Sequence, residues 1–167
     1  MTPSWALTLA YWLHMLATVV WIGSLTALAL LVLPAAQQAL DSHAFSELLA
    51  GLQRRLDPIG WFCLVLLVAT GLFQMSANPN YQGFLSITNR WGAAILVKHL
   101  LFLGMVAVSA YLTWGVLPKL SRNALRQAQG KDTPSAGRLM RQNLALLRLN
   151  LVLAVLILAL TAVARAA

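Results

Sequence analysis

The first apolar stretch, residues 5–33, decides the fold and reads WALTLAYWLHMLATVVWIGSLTALALLVL. It contains no acidic side chain, no lysine and no arginine, and His14 lies in its first half. A helix needs roughly 20 apolar residues to cross the core of a bilayer, and this stretch is longer. It lacks the basic start and the short apolar core of a secretory signal peptide. We therefore predict a retained membrane helix.

The rest of the chain has the same apolar character, since 60% of its 167 residues are hydrophobic and only 10% are charged. Apolar segments long enough to span a bilayer lie near residues 5–33, 58–76, 91–117 and 143–164. In lipid they must be helices, because their backbone groups have no other partner. We predict an all-α integral membrane protein, with residues 1–167 forming one domain built as a four-helix antiparallel bundle.

The connections are predicted from helix breakers and caps. Pro34 and Pro118 are expected to end the first and third spans. Residues 42–56 are expected to form a helix that lies at the interface or extends the second span. Residues 77–90, rich in Asn, Pro and Gly, predict an ordered loop with turns. No internal repeat is evident.

The basic residues predict the orientation in the membrane. They concentrate around the first and third connections, at Arg54, Arg55, Lys119, Arg122, Arg126, Lys131, Arg138 and Arg141. The positive-inside rule places these connections in the cytoplasm and both termini outside, an N-out/C-out topology. Orientation thus explains the net charge of +8 better than nucleic-acid binding does. Within the spans, Arg148 is expected to form an ion pair with Asp57.

Two histidines are predicted to share one depth in the bilayer. His14 follows Trp5 by nine residues and His99 follows Trp91 by eight, on helices that run in the same direction. They would lie about 13 and 12 Å below the aromatic level. This arrangement suits a haem b iron with two axial histidines, with Lys98 and Arg90 near the propionates. A histidine that only bonds neighbouring helices is the simpler alternative.

Copper is the alternative to haem as the group bound by the two histidines. Met15 or Met105 could add a thioether to the two imidazoles, as soft copper sites require. The chain lacks the dense methionine and cysteine clusters of a dedicated copper(I) pathway, and Cys63 lies in an apolar run that predicts simple packing.

Several motifs resemble the copper resistance protein D (CopD) family of bacterial membrane proteins. They are WLHMLATVVWIGSL from Trp12, VLPAA from Val32, RRLDPIGW from Arg54, ATGL from Ala69 and RLNLVLA from Arg148. The resemblance implies copper handling, commonly uptake across the inner membrane. The spacing of His14, Trp21 and Gly23, with Lys98, also resembles the HemJ-type protoporphyrinogen oxidases, which implies haem b at His14 and a functional Lys98. The chain departs from those oxidases at Leu33-Pro34-Ala35, where they carry an arginine, and it adds His99.

The leading prediction is a multi-pass protein of the bacterial cytoplasmic membrane that binds haem b through His14, His99, Lys98, Arg90 and Trp21. It would exchange electrons with a quinone or a periplasmic redox protein and could be a membrane oxidoreductase. Copper binding or uptake, through His14 and His99, is the first alternative. A structural or assembly subunit is the second. A homo-oligomer that shares the cofactor stays open.

Overall fold

The computed structural model describes residues 3–85, 87, 89–129 and 136–166, and within these ranges it contains helices and turns but no strand. Four helical stretches are long and apolar enough to cross a membrane: Ser4–Ala39, Glu47–Ser76, Arg90–Asn123 and Gly137–Ala166. The predicted all-α fold with four spans is confirmed. The chain is a multi-pass membrane protein in contact with the lipid bilayer.

The spans are longer than the apolar segments suggest, because helical structure continues beyond them. The elements are α1 (Ser4–Thr26), a π-helical segment (Ala27–Val32), α2 (Leu33–Ala39), α3 (Ser42–Ser76), α4 (Arg90–Tyr111), a second π-helical segment (Leu112–Val116), α5 (Leu117–Ala128) and α6 (Ala136–Ala166). The helix expected at residues 42–56 is the first part of α3, so it extends the second span. Residues 130–135 of the third connection lie outside the described ranges.

The prediction that Pro34 and Pro118 end their spans is wrong. Each proline is the second residue of a new α-helical segment, α2 or α5, that continues the preceding π segment without a break. Inside a helix, a proline lacks the N–H donor and its ring crowds the carbonyl of the preceding turn. The wider π-helical turn before each proline changes this register. The π segments therefore let each helix pass its proline.

The two halves of the chain have similar helix packing and share two short sequences. Val-Leu-Pro occurs at 32–34 and again at 116–118. The first proline lies twenty residues after His14, and the second lies nineteen residues after His99. Arg-Leu-Asp at 55–57 matches Arg-Leu-Asn at 148–150 on the returning helices. α1 packs mainly on α3, and α4 packs mainly on α6. Each half is thus a helical hairpin, and the two hairpins have the same topology, as in parallel membrane repeats.

The largest packed core lies at the end of the bundle that carries the connections between α2 and α3 and between α5 and α6. Its most deeply buried members are Ala29, Leu33, Leu49 and Val116. Arg148 is exposed, and no ion pair to Asp57 exists among the described residues, so that expected pair is wrong. The core near the chain termini is smaller and consists of Met75, Trp91, Ala94 and Ala164.

α4, which carries His99, begins at a side-chain cap. The Asn89 amide oxygen accepts a hydrogen bond from the Gly92 N–H at 2.6 Å, and its amide nitrogen donates to the Asn80 carbonyl at 3.3 Å. Asn89→Ala is expected to lower the free energy of unfolding by about 0.5–2 kcal/mol, because the Gly92 N–H loses its acceptor. Thermal unfolding in detergent measures this loss. Asn89→Asp keeps the acceptor and is the control; an alanine variant as stable as wild type would contradict the prediction.

Candidate functional site

A cavity of about 690 Å³ lies between the two hairpins, in the half of the bundle that carries the chain termini. We call it the histidine cavity, and its polar and charged lining includes Tyr11, His14, Thr18, Gln74, Lys98, His99, Thr161 and Arg165. All four long helices contribute to its wall. The structure therefore brings His14, Lys98 and His99 to one site, as the sequence predicts, and adds polar groups from α3 and α6.

The His14 ring is oriented by a threonine of the neighbouring helix. His14 Nδ1 lies 2.8 Å from Thr70 Oγ1, and the same hydroxyl donates to the Leu66 carbonyl at 2.6 Å. Because a hydroxyl has only one proton, Thr70 must accept at its second contact. His14 Nδ1 is therefore the donor, and Nε2 keeps a free lone pair. Gly71 also faces this ring: a Cβ at its position would lie 3.4 Å from His14 Cε1, within ordinary van der Waals contact.

His99 reaches the same protonation pattern in a different way. Its Nδ1 lies 2.7 Å from the Ile95 carbonyl oxygen of its own helix. A carbonyl only accepts, so Nδ1 carries a proton, and in the neutral ring Nε2 has the free lone pair. The Phe84 ring contacts the His99 ring edge-on, with 5.1 Å between the ring centroids. Both imidazoles that line the cavity thus offer an unprotonated nitrogen, as metal-binding histidines do.

Three methionines line the same cavity: Met15, Met75 and Met105. Met105 is 2% exposed and Met75 is 8% exposed, so both thioethers are held inside the protein. Among the described residues no group of three or more His, Cys, Asp or Glu side chains is placed to hold a metal. A metal in this cavity would therefore depend on the two imidazoles and on thioether sulfur, which are suitable ligands for a soft ion.

The cationic groups of the cavity differ in part from the predicted ones. Lys98 lines the cavity, whereas Arg90 is exposed at the start of α4 and is not part of the lining. Arg165, near the end of α6, lines it instead, with its guanidinium carbon 5.9 Å from the centroid of the Tyr11 ring. The sequence alone could indicate Arg165 only through the antiparallel return of the fourth span, which brings residue 165 to the level of Tyr11.

Trp21 lines the end of the histidine cavity that lies deeper along α1 than His14. Its indole packs on Gly60 of α3 so closely that a Cβ at Gly60 would lie 2.7 Å from Trp21 Cζ3. The indole Nε1 is buried and has no hydrogen-bond partner among the described residues. The ring of Trp61 on α3 stacks on the ring of Trp114 in the second π-helical segment, with 5.2 Å between the ring centroids.

Comparison with known proteins identifies the family. No curated protein and no solved structure matches the chain. The family model described as "CopD: Copper resistance protein D" matches residues 50–164, which includes most of α3 and nearly all of the second hairpin. His99 and Lys98 lie within the matched region, and His14 precedes it. Since the match covers more than half of the sequence, this chain belongs to the copper resistance protein D family.

Proposed function

We propose that this protein binds a copper ion as cargo in the histidine cavity and takes part in copper uptake across the bacterial cytoplasmic membrane. The observation that carries the proposal is the shared state of His14 and His99. Both donate through Nδ1 and keep a free Nε2 lone pair in one cavity. Imidazole nitrogens in this state bind transition metals.

The thioethers support copper in particular. Met15, Met75 and Met105 line the cavity, and thioether sulfur is a ligand that selects copper(I) over harder ions. Membership of the copper resistance protein D family agrees with this choice. Lys98 and Arg165 make the cavity cationic, so an entering copper ion would be accompanied by an anion or bound weakly enough to be released.

The direction of uptake follows from the proposed orientation. By the positive-inside rule the termini lie outside and the basic connections face the cytoplasm. The histidine cavity would then lie in the outer half of the bilayer, where it can receive copper from outside the cell. Copper would leave toward the packed end of the bundle.

The decisive experiment is elemental analysis of the detergent-purified protein after expression in medium supplied with both copper and haem. We expect stoichiometric copper in the wild type and its loss in His14→Ala and in His99→Ala. His43→Ala is the matched control, because residue 43 lies near the start of α3, at the other end of the bundle. Elution volume and helical circular dichroism verify that each variant is folded. A wild type that contains neither copper nor haem would favour a structural or assembly subunit.

Haem b is the second candidate, and the size of the cavity favours it. A volume of about 690 Å³ is in the range of cofactor pockets and exceeds what one metal ion needs. The two Nε2 atoms could provide both axial ligands, and Lys98 and Arg165 could pair with propionates. Oxidised and reduced visible spectra of the same samples distinguish the candidates. Sharp bands in the reduced spectrum that disappear in both histidine variants would identify haem, rather than copper, as the bound group. They would also indicate a function in electron transfer.

A further inference from the structure

A second, smaller cavity of about 80 Å³ lies closer to the packed end of the bundle. We call it the Asn150 cavity, and its polar lining consists of Ser24, Gln53, Asp57, Ser109, Thr113 and Asn150, together with Trp21 and Cys63. Trp21 lines both cavities, so the two cavities adjoin at this residue. None of the histidines or methionines of the larger cavity lines the smaller one.

The hydrogen bonds of Asn150 determine which end of its amide faces the cavity. Asn150 Nδ2 donates to Ser109 Oγ at 2.9 Å, and Ser109 Oγ gives its only proton to the Met105 carbonyl at 2.9 Å. Ser109 can therefore only accept from Asn150, which excludes the flipped amide. Asn150 Oδ1 remains as a buried oxygen without a partner, on a side chain that is 1% exposed. Such an acceptor is costly unless a ligand satisfies it.

Asp57 adds a carboxyl group to the same cavity. The Thr113 side chain lies near its carboxyl group, and both line the cavity. No basic side chain forms an ion pair with Asp57 within the described ranges, and Arg148, the expected partner, is exposed. A carboxylate in a membrane-spanning helix needs a counter-charge. A bound cation would supply it and would also satisfy Asn150 Oδ1.

Trp21 and the cavity volume indicate that this cation keeps part of its water. The Trp21 Nε1–H is a buried donor without a protein partner, and a donor cannot contact a bare cation. A water molecule on the cation could accept this N–H and coordinate the ion through its other lone pair. The volume of about 80 Å³ leaves room for an ion and a few waters, since one water needs only about 10–15 Å³ on this measure.

The two oxygen ligands lie in similar short sequences of the two hairpins. Asp57 and Asn150 occupy the same position in the matching Arg-Leu-Asp and Arg-Leu-Asn sequences of α3 and α6. Each faces a hydroxyl of the α4 span, Thr113 or Ser109. The cavity is thus a site built by both hairpins around one negative charge.

We propose that the Asn150 cavity binds a partly hydrated alkali-metal cation through the Asp57 carboxylate and Asn150 Oδ1. Oxygen ligands suit a hard ion, and a single carboxylate matches a single positive charge. The site differs in chemistry from the histidine cavity and does not depend on what that cavity binds. Its cation would hold α3 and α6 together beside Trp21, at the boundary between the two cavities.

The test is thermal unfolding of the full chain in detergent, in sodium chloride and in choline chloride at equal ionic strength. Choline is too large for the cavity, so wild-type protein should show a saturable rise of Tm with sodium only, as binding to the native state requires. Asn150→Ala is expected to weaken the apparent sodium affinity roughly tenfold or more, by loss of one ligand to a charged group. Asp57→Asn should have at least as large an effect.

Asn143→Ala is the matched control. Asn143 is 0% exposed, lies on α6 seven residues before Asn150 and does not line the cavity, so this variant should keep the full response to sodium. Asn150→Asp adds a carboxylate and should increase the apparent affinity, which provides a test if the alanine variant does not fold. Equal Tm of wild type in both salts would mean that the cavity holds water only and would overturn the proposal. A full sodium response in Asn150→Ala would overturn it as well.

Discussion

Thr70→Val is expected to weaken copper binding about 10–100-fold, although its hydroxyl is not among the proposed copper ligands. Such losses are typical when the group that orients a metal-binding histidine is removed. Valine has nearly the same shape as threonine but cannot accept the proton of His14 Nδ1, which lies 2.8 Å from the hydroxyl. The imidazole would lose the bond that orients its ring and keeps Nε2 unprotonated. The variant therefore tests whether the orientation of the His14 ring matters for copper binding while the ring itself is retained.

Competition with a copper(I) chelator measures this affinity in detergent-purified protein. Thr70→Ser retains the hydroxyl and should restore binding to within a small factor of wild type. Thr161→Val is the matched control, since Thr161 also lines the cavity and donates to a carbonyl of its own helix, Ile157, at 2.8 Å. Wild-type affinity in Thr70→Val would contradict the assigned role of Thr70. If the protein proves to contain haem, the same variant should change the haem spectrum.

Gly60→Ala is expected to lower the free energy of unfolding by about 1–3 kcal/mol through overpacking. The new Cβ would lie 2.7 Å from Trp21 Cζ3, a distance that forces the indole or α3 to move. The contact joins α1 to α3 where the two cavities adjoin. Reversible unfolding in mixed detergent, followed by helical circular dichroism, measures the loss.

Two comparisons isolate the clash between Gly60 and Trp21. Gly104→Ala is the control, because a Cβ at Gly104 meets nothing within 4 Å and alanine is the better helix former. Trp21→Leu removes the indole ring that the new Cβ would contact. In that background, Gly60→Ala should lower the free energy of unfolding much less. Equal costs of Gly60→Ala in both backgrounds would show that Trp21 is not the obstacle.

The four-span fold was predictable from the sequence because membrane helices follow from the length and polarity of apolar segments alone. The ends of these helices were not predictable in the same way. Pro34 and Pro118 were expected to break their helices, yet both lie inside continuous helices, each directly after a π-helical segment. The two π segments that precede them have no signature in composition, so the additional helical length at α2 and α5 could not be foreseen.

The depth of the candidate site in the bilayer was predictable from the sequence. The rotation of each helix about its own axis, which decides the side chains that face the site, was not. Counting residues from the tryptophans placed His14 and His99 at similar depth, and both line one cavity. The protonation of His14 depends on Thr70, which is 56 residues away in sequence. Met75 and Arg165 come from returning helices, and their side-chain directions depend on helix rotation, which hydropathy does not determine. Their contribution to the cavity required the structure.

The two hairpins are arranged like the two subunits of a parallel dimer, although they belong to one chain. In a true symmetric dimer, each residue beside the axis would occur twice in identical surroundings. Here the two hairpins differ: Lys98 precedes His99 whereas Leu13 precedes His14, and α3 carries Asp57 where the similar sequence of α6 carries Asn150. A symmetric dimer of identical hairpins, each with both charged residues, would place two lysines in one cavity and two carboxylates in the other. A single chain can place one such charge in each cavity, so the two histidines have unequal neighbours.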